Sequence, residues 1–419
     1  MSLVEQHYIT KIEGHGTLNI NFRQCHAKLE IDEGERFFEA LLVGRPYTDG
    51  PFITSRICGV CPVAHTLASI KALESALDIM IDDNTIRLRK ILLASQIIQS
   101  HALHLFFLTL PDYIGLSSTL ELHQTKPELF KIALSLKNLG DKITTIIGGR
   151  NVHPINLVVG GFSKIPSKNE LQEIKLACQN NLTFTQETVK LFASFNYPKI
   201  SNPVEYMSLV NGESYETYDG KVETSKNYIF DPINYKKEII EKVKSYSSAK
   251  FSTHDGQPMM VGGLARISLH HQYLNTKAKK TFNDLKIEMP SYNTFHNNLA
   301  QAIEMVHFLE EIIKLCEELI NDQSYKSQVI SYKLKSGHGI GAIEAPRGVL
   351  YHYYELDKKG IIKNCDIITP TAQNLTNIEE DATALLKEFK LDKLEGKVCI
   401  RELEMLIRAY DPCITCSVH

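Results

Sequence analysis

The sequence predicts a mainly α (α+β) fold: a buried bundle of long helices with small β regions at its periphery. Three observations carry this. Several stretches of more than twenty residues keep apolar side chains at helical spacing. The first thirty residues and the segment 198–265 read instead as short strands and loops. No internal repeat, low-complexity tract or linker divides the chain, so residues 1–419 are expected to form one domain.

Each element follows from its local pattern. "YITKIEGHGTLNINF" places two strand-like runs around Gly14-His15-Gly16, as in a hairpin, and "AKLEID" adds a third strand. "HTLASIKALESALDIM" is helical. "NTIRLRKILLASQIIQSHALHLFFLTL" is a long helix, apolar over most of its circumference, expected to be buried among other helices and to end before Pro111. "KPELFKIALSLKNLGDKITTIIGG" ends on Gly148-Gly149 as a C-cap. "NELQEIKLACQNNLTFTQETVKLFASF" and "YNTFHNNLAQAIEMVHFLEEIIKLCEELI" are further long helices, and "RELEMLIRAY" is the last, stopping at Asp411-Pro412.

Composition narrows the function classes. The apolar fraction is 43% and the charged fraction 23%, ordinary for a globular protein, and the net charge of −3 offers no basic field for nucleic acid. No run reaches the ~18 uninterrupted apolar residues of a membrane span. The N-terminus lacks a basic region followed by an apolar run, so no secretory signal is read. The cytoplasm is the expected compartment, where nine cysteines mean thiols or metal ligands more than disulfides.

Five cysteines, Cys25, Cys178, Cys316, Cys365 and Cys399, are isolated and read as small buried hydrophobes. The other four form two CxxC pairs, Cys58/Cys61 in "RICGVCPVAH" and Cys413/Cys416 in "DPCITCSVH". A zinc ribbon joins its pairs with ~15–20 residues because it is a local fold. These pairs are separated by most of the chain and can meet only inside a large domain. Spacing alone leaves open a structural zinc site of four cysteines, two unrelated pairs, or a thiolate site for nickel or iron.

The sequence context decides. The two terminal motifs, with "IEGHG", "SHALHL", "GGRNVHP", "EAPRG" and "DIITPTAQN" as further segments of the same kind, resemble the large subunit of [NiFe]-hydrogenases from about residue 9 to the last residue. "LPDYIGLSS", "NNLAQAIEMVHFLE" and "AYDPCITCSVH" resemble most the soluble cytoplasmic NAD(P)-linked type, also called sulfhydrogenase. The resemblance implies nickel on four thiolates, with Cys58 and Cys413 terminal and Cys61 and Cys416 bridging to an iron that carries CO and two cyanides. It implies Glu13 as the proton-gate glutamate, with the terminal thiolate Cys413 as a first base. Arg347, after Pro346, would offset the cyanide charge, and Thr371 would donate to a cyanide. Asp411 would pair with Arg347 or cap local backbone, and His65 would tune a thiolate. A magnesium ion is implied on Glu39, the Ile367 carbonyl and His419. His101 and His104 share a helix face and are read as hydrogen-bonded core histidines, while Ser100 stands where many relatives carry an aspartate. Family precursors are cut after this histidine, so the chain reads as the mature form, although a gene ending here would look the same.

Heterolytic cleavage of H2 needs a Lewis acid and a nearby base. It also releases electrons. Iron–sulfur clusters need about four cysteines each, and the five single cysteines have no cluster spacing. "GHGIGAIEAPRG" has its glycines at the wrong intervals for a dinucleotide fold. An iron–sulfur small subunit is therefore expected as partner, with further flavin-, NAD(P)- and cluster-bearing subunits in a heterotetramer or larger assembly. The rival readings are a complex I-like quinone-site subunit, a class that lacks the nickel cysteines, and a structural zinc protein with four cysteine ligands.

Overall fold

The structure, a computed structural model, describes residues 4–326, 329–392 and 396–419. The chain opens on an antiparallel sheet of β1 (Val4–Tyr8), β2 (Thr17–Asn21) and β3 (His26–Glu30), with Tyr8 opposite Thr17 and Asn21 opposite His26. Alternate residues Leu18, Ile20, Ala27 and Leu29 are buried, the period-2 pattern of a sheet with one face on the core. Short helices α1 (Phe38–Leu42) and α2 (Asp49–Thr54) lead to the first cysteine pair and to α3 (Pro62–Leu77). Pro62 opens α3 at the position where a missing N–H costs nothing.

The predicted long helix does not stop before Pro111. It runs as α4 (Asp83–Leu103), passes through a π-helical segment (His104–Thr109) and continues as α5 (Leu110–Ile114). Pro111 is tolerated because it begins this last segment. The Phe107 carbonyl, which a residue with an N–H at 111 could bond, accepts from Thr119 Oγ1 at 3.1 Å. Asp83–Ile114 is long and apolar enough to cross a membrane, but 83% of its most apolar window is buried within the protein, as in a core helix.

Then come α6 (Thr119–Thr125), α7 (Pro127–Gly148), the hairpin of β4 (Leu157–Val158) and β5 (Gly161–Phe162), and α8 (Lys168–Ala193). Gly149 takes a left-handed φ of 84° and caps α7 as predicted. A Ser167/Glu170 capping box starts α8. Short strands fill the next stretch: β6 (Glu205–Val210), β7 (Lys221–Thr224), β8 (Ile229–Phe230), β9 (Ile239–Val243) after the single turn α9 (Tyr235–Glu238), β10 (Lys250–His254) and β11 (Met259–Met260). Helices α10 (Gly263–His270), α11 (Thr276–Leu285) and α12 (Asn297–Asn321) follow, and α12 packs on both α8 and α4.

The expectation of β structure only at the periphery fails next. β12 (Gly337–Ala345), β13 (Gly348–Leu356) and β14 (Ile362–Ile368) form an antiparallel sheet, and its residues 341–351 are buried throughout. Gly337, Gly339 and Gly341 lie on the backbone of α3; a Cβ on Gly341 would sit 2.0 Å from the Ala68 carbonyl. Two residues of strand and four of helix advance by similar distances, so alternate glycines meet Ala76, Ala72 and Ala68 in turn. These glycines serve a strand–helix contact. The chain ends with α13 (Pro370–Asp392), α14 (Gly396–Ala409) and the single turn α15 (Ile414–Ser417).

Candidate metal centre

The first pair sits on a fixed base. Cys61 is the N-cap residue of α3, and α3 is buried over most of its length. The second pair follows α14. Asp411 takes a left-handed φ of 53°, which ends the helix before Pro412 and turns the chain inward. Three sets of contacts fix it there. Ile414 N–H donates to the Glu13 carbonyl at 2.7 Å, Cys413 N–H donates to Thr371 Oγ1 at 2.9 Å, and Arg36 Nη2 donates to both the Ile57 and Thr415 carbonyls at 2.8 and 2.5 Å. Gly14 allows the N-terminal loop to close over this tail. Its φ is +90°, and a Cβ there would lie 2.7 Å from Thr415 Oγ1.

The four thiols converge in the interior. Cys58 Sγ is 3.6 Å from Cys413 Sγ, Cys61 Sγ is 3.5 Å from Cys416 Sγ, and Cys413 and Cys416 are 2.8 Å apart at sulfur. All nine cysteines are buried. Hydrogen bonds from Cys413, Cys416 and Cys61 hold the Cys58 thiol far below its ordinary pKa, while Cys61 and Cys416 are pushed up. One sulfur thus takes the negative charge and the others donate to it. Such a cluster calls for a cation. Arg347 reaches it, from the tip of the two-residue hairpin Pro346-Arg347 between β12 and β13. Its Nε donates to the Asp411 carbonyl at 2.6 Å and its Nη2 to Asp411 Oδ1 at 2.9 Å. Burial works against its charge, but Asp411 and the nearby cysteine sulfurs hold it protonated. Its Nη1 is buried without a hydrogen-bond partner.

A small cavity lies between these groups, lined by Cys61, His65, Pro346, Arg347, Thr371 and Cys416 among others. Pro370 and Thr371 open α13, so the positive end of that helix dipole also faces the cavity. His65 lies with Cys61 and Cys416 in one potential ligand group. Its Nδ1 bonds His352 Nε2 at 3.1 Å, and burial lowers its pKa to about 3, so the ring is neutral.

Glu13 is half-buried beside Cys413, and burial raises its pKa against the pull of Arg347. Glu39, Ile367 and His419 also come together. Glu39 Oε1 accepts from Ile367 N–H at 2.7 Å and lies 3.8 Å from His419 Nε2, which is 2.9 Å from the Ile367 carbonyl. Burial opposes charge on both side chains, yet their mutual attraction lowers the Glu39 pKa and raises that of His419. Every site residue expected from the sequence thus falls into one of two neighbouring clusters. His101 and His104 are buried and hydrogen-bonded, to Glu304 at 2.8 Å and to Gln301 at 2.5 Å. Sequence reading missed Arg36 and Arg266, and read Gly14 only as a hairpin glycine. Only the glycine in "GHG" carried a local signal.

Four thiols around a cavity with an unpartnered guanidinium edge fit a soft metal bearing anionic ligands. A carboxylate, a carbonyl and an imidazole that face one another fit a second, harder cation. Fold and site together define a thiolate-bound metal enzyme. The family model "nickel-dependent hydrogenase" matches residues 36–139 and 179–419, and the chain belongs to that family. It is 36% identical over 417 residues to the sulfhydrogenase 1 subunit alpha of Pyrococcus furiosus, covering 98% of this chain and 96% of that one. It is 27% identical to the beta subunit of the NAD-reducing hydrogenase of Cupriavidus necator, over 98% and 93% of the two chains. A crystal structure of an NAD+-reducing [NiFe]-hydrogenase in the H2-reduced state superposes with a TM-score of 0.87 at 27% identity, covering 99% of each chain. The family and the cysteine cluster together support a Ni–Fe centre in a hydrogenase subunit that works with partner subunits.

Proposed function

We propose that the chain, as one domain over 1–419, is the catalytic subunit of a cytoplasmic [NiFe]-hydrogenase that converts H2 reversibly to two protons and two electrons. The observation that carries this reading is the meeting of both CxxC pairs at one buried point beside Arg347. Cys58 and Cys413 would hold nickel as terminal ligands, and Cys61 and Cys416 would share it with an iron carrying CO and two cyanides. When bound, the centre would supply the Lewis acidity and the two-electron acceptor that heterolysis of H2 requires. Cys413 would accept the two protons one after the other, and Glu13, its pKa raised by burial, would pass each outward. The free Nη1 of Arg347, held by Asp411, offers its donor to an anionic ligand. Thr371 accepts from Cys413 N–H and keeps its own hydroxyl hydrogen to donate. The neutral His65 ring orients beside Cys61, and Pro346 fixes the turn that carries Arg347. Glu39, the Ile367 carbonyl and His419 would hold magnesium.

Electrons need another chain. Among the described residues, the other five cysteines join no group of three potential metal ligands. An iron–sulfur small subunit would receive the electrons and pass them through flavin-bearing subunits to NAD(P); the names of two relatives, both NAD-reducing hydrogenases, support NAD as the acceptor. Exposed Phe37, Leu41, Val43 and Phe52, on and beside the short helices before Cys58, offer an apolar surface for it.

Metal analysis of the purified complex tests the reading. Nickel and iron, with infrared bands of CO and cyanide, are expected; zinc alone without such bands overturns it. Cys413→Ser is expected to abolish H2 activity. Glu13→Gln is expected to block H2/D+ exchange with the metals in place, and unchanged exchange removes Glu13 from the relay.

A further inference from the structure

Arg266 lies outside every motif of the sequence, yet it has the most saturated guanidinium in the interior. It sits on α10 and is 1% exposed. Nε and Nη2 grip Glu304 at 2.6 and 2.8 Å, and Nη1 donates to Glu344 Oε2 at 2.8 Å. The two remaining donors go to main chain: Nη1 to the Ala345 carbonyl at 3.2 Å and Nη2 to the Pro346 carbonyl at 3.0 Å. All five N–H groups are used. Those two carbonyls are the last of β12 and the first of the turn, directly before Arg347.

Glu304 is held in turn by His101 Nε2 at 2.8 Å and by the Tyr215 hydroxyl at 2.6 Å. One helical turn away, His104 Nδ1 meets Gln301 Oε1 at 2.5 Å, and Gln301 Nε2 donates to Asp411 Oδ2 at 3.1 Å. Asp411 holds the Arg347 side chain. Two arms therefore run from His101 and His104 through α12 to Arg347. The arm through Glu304 and Arg266 fixes its backbone, and the arm through Gln301 and Asp411 fixes its guanidinium. A hairpin tip with Nη1 left free would otherwise be a mobile place for a cation.

We propose that Arg266, locked by Glu304, is a positioning residue that sets the place of Arg347 against the metal centre. The inference rests on the hydrogenase reading. Lysine at 266 keeps the charge but has three donors and no fork, so it cannot hold both carbonyls and both carboxylates. Outer positioning contacts of metal sites are worth about 10–100-fold in activity or affinity.

The test uses the holoenzyme complex with Arg266→Lys. Arg89→Lys is the control: Arg89 is equally buried and grips Glu74 with both Nη atoms at 2.7 Å, but it touches neither the hairpin tip nor Asp411. The expected result is a shift of the cyanide infrared bands and a roughly ten-fold or greater fall in H2/D+ exchange in Arg266→Lys, at wild-type nickel and iron content. Arg89→Lys is expected to lower thermal stability and leave the bands in place. Unshifted bands in Arg266→Lys, or equal shifts in both variants, overturn the proposal. If Arg266→Lys does not accumulate, Glu304→Gln, which keeps the side-chain volume, is read in the same way. Absence of cyanide bands from the wild type overturns the hydrogenase reading instead, so the two failures are distinct.

Discussion

The two cysteine pairs carry the same chemistry and are placed by opposite means. Cys58 and Cys61 stand at the head of a sixteen-residue helix whose buried faces and glycine-lined contact with β12 fix it along its length. Cys413 and Cys416 ride on a four-residue turn near the chain end. Its own bonds are few, the Cys416 and Ser417 N–H groups to the Cys413 carbonyl, and most of its anchors come from residues remote in sequence, Glu13, Arg36 and Thr371 among them. Both pairs are buried, but the first belongs to a long core helix, while the second is a latch closed onto it. A short segment near a chain end, held from outside its own element, can open as a unit apart from the core.

The largest expected effect is on the core half. Gly341→Ala puts a Cβ 2.0 Å from the Ala68 carbonyl and 2.7 Å from the Ala72 nitrogen, both backbone atoms that cannot swing aside. Strand and helix must separate, and a loss of more than ~4 kcal/mol is expected, seen as failure to accumulate soluble chain or as a collapsed unfolding midpoint. Wild-type stability in this variant breaks the claim that the glycine stripe fixes α3.

The next effect separates the halves by pH, in the metal-free chain. His65, beside the first pair, has its pKa lowered to about 3 by burial. Between there and the usual histidine value of about 6.5 the unfolded chain binds the extra proton, so stability falls as pH drops below ~6.5, by ~2 kcal/mol at pH 5. His419, after the second pair, has its pKa raised by Glu39 despite burial. Its contribution is complete below the unfolded value and is lost as pH rises through the folded one. His65→Gln is expected to flatten the acid side of the urea-midpoint profile, and His419→Gln the alkaline side. Identical profiles for the two variants remove the contrast.

How much of this was legible depended on the range of the interactions. Periodicity found the N-terminal sheet, α3, α4, α7, α8 and α12, because each shows its buried face in local spacing. It failed at Pro111, where Thr119 supplies the missing partner from outside the helix. It also missed β12–β14 and α13. β12 has glycines where a strand is expected to have β-branched residues, and they make sense only against the backbone of α3. The thiolates, Arg347 and Glu39 could be named from motifs. Arg266, Glu304 and Arg36 could not, since each acts through carbonyls or charges distant in sequence and the letters around them are ordinary helix and loop.

The smallest expected effect is on the latch itself. Thr371→Val keeps the shape at the start of α13 but removes the acceptor for Cys413 N–H. A buried donor left without a partner costs about 1–3 kcal/mol. If the second pair is a separate latch, that cost stays local. Hydrogen exchange is expected to quicken in residues 411–419 and to stay at wild-type rates along α3, with the global unfolding midpoint barely moved. Faster exchange spread equally over both regions means that the two pairs open together, and the division between core and latch is then wrong.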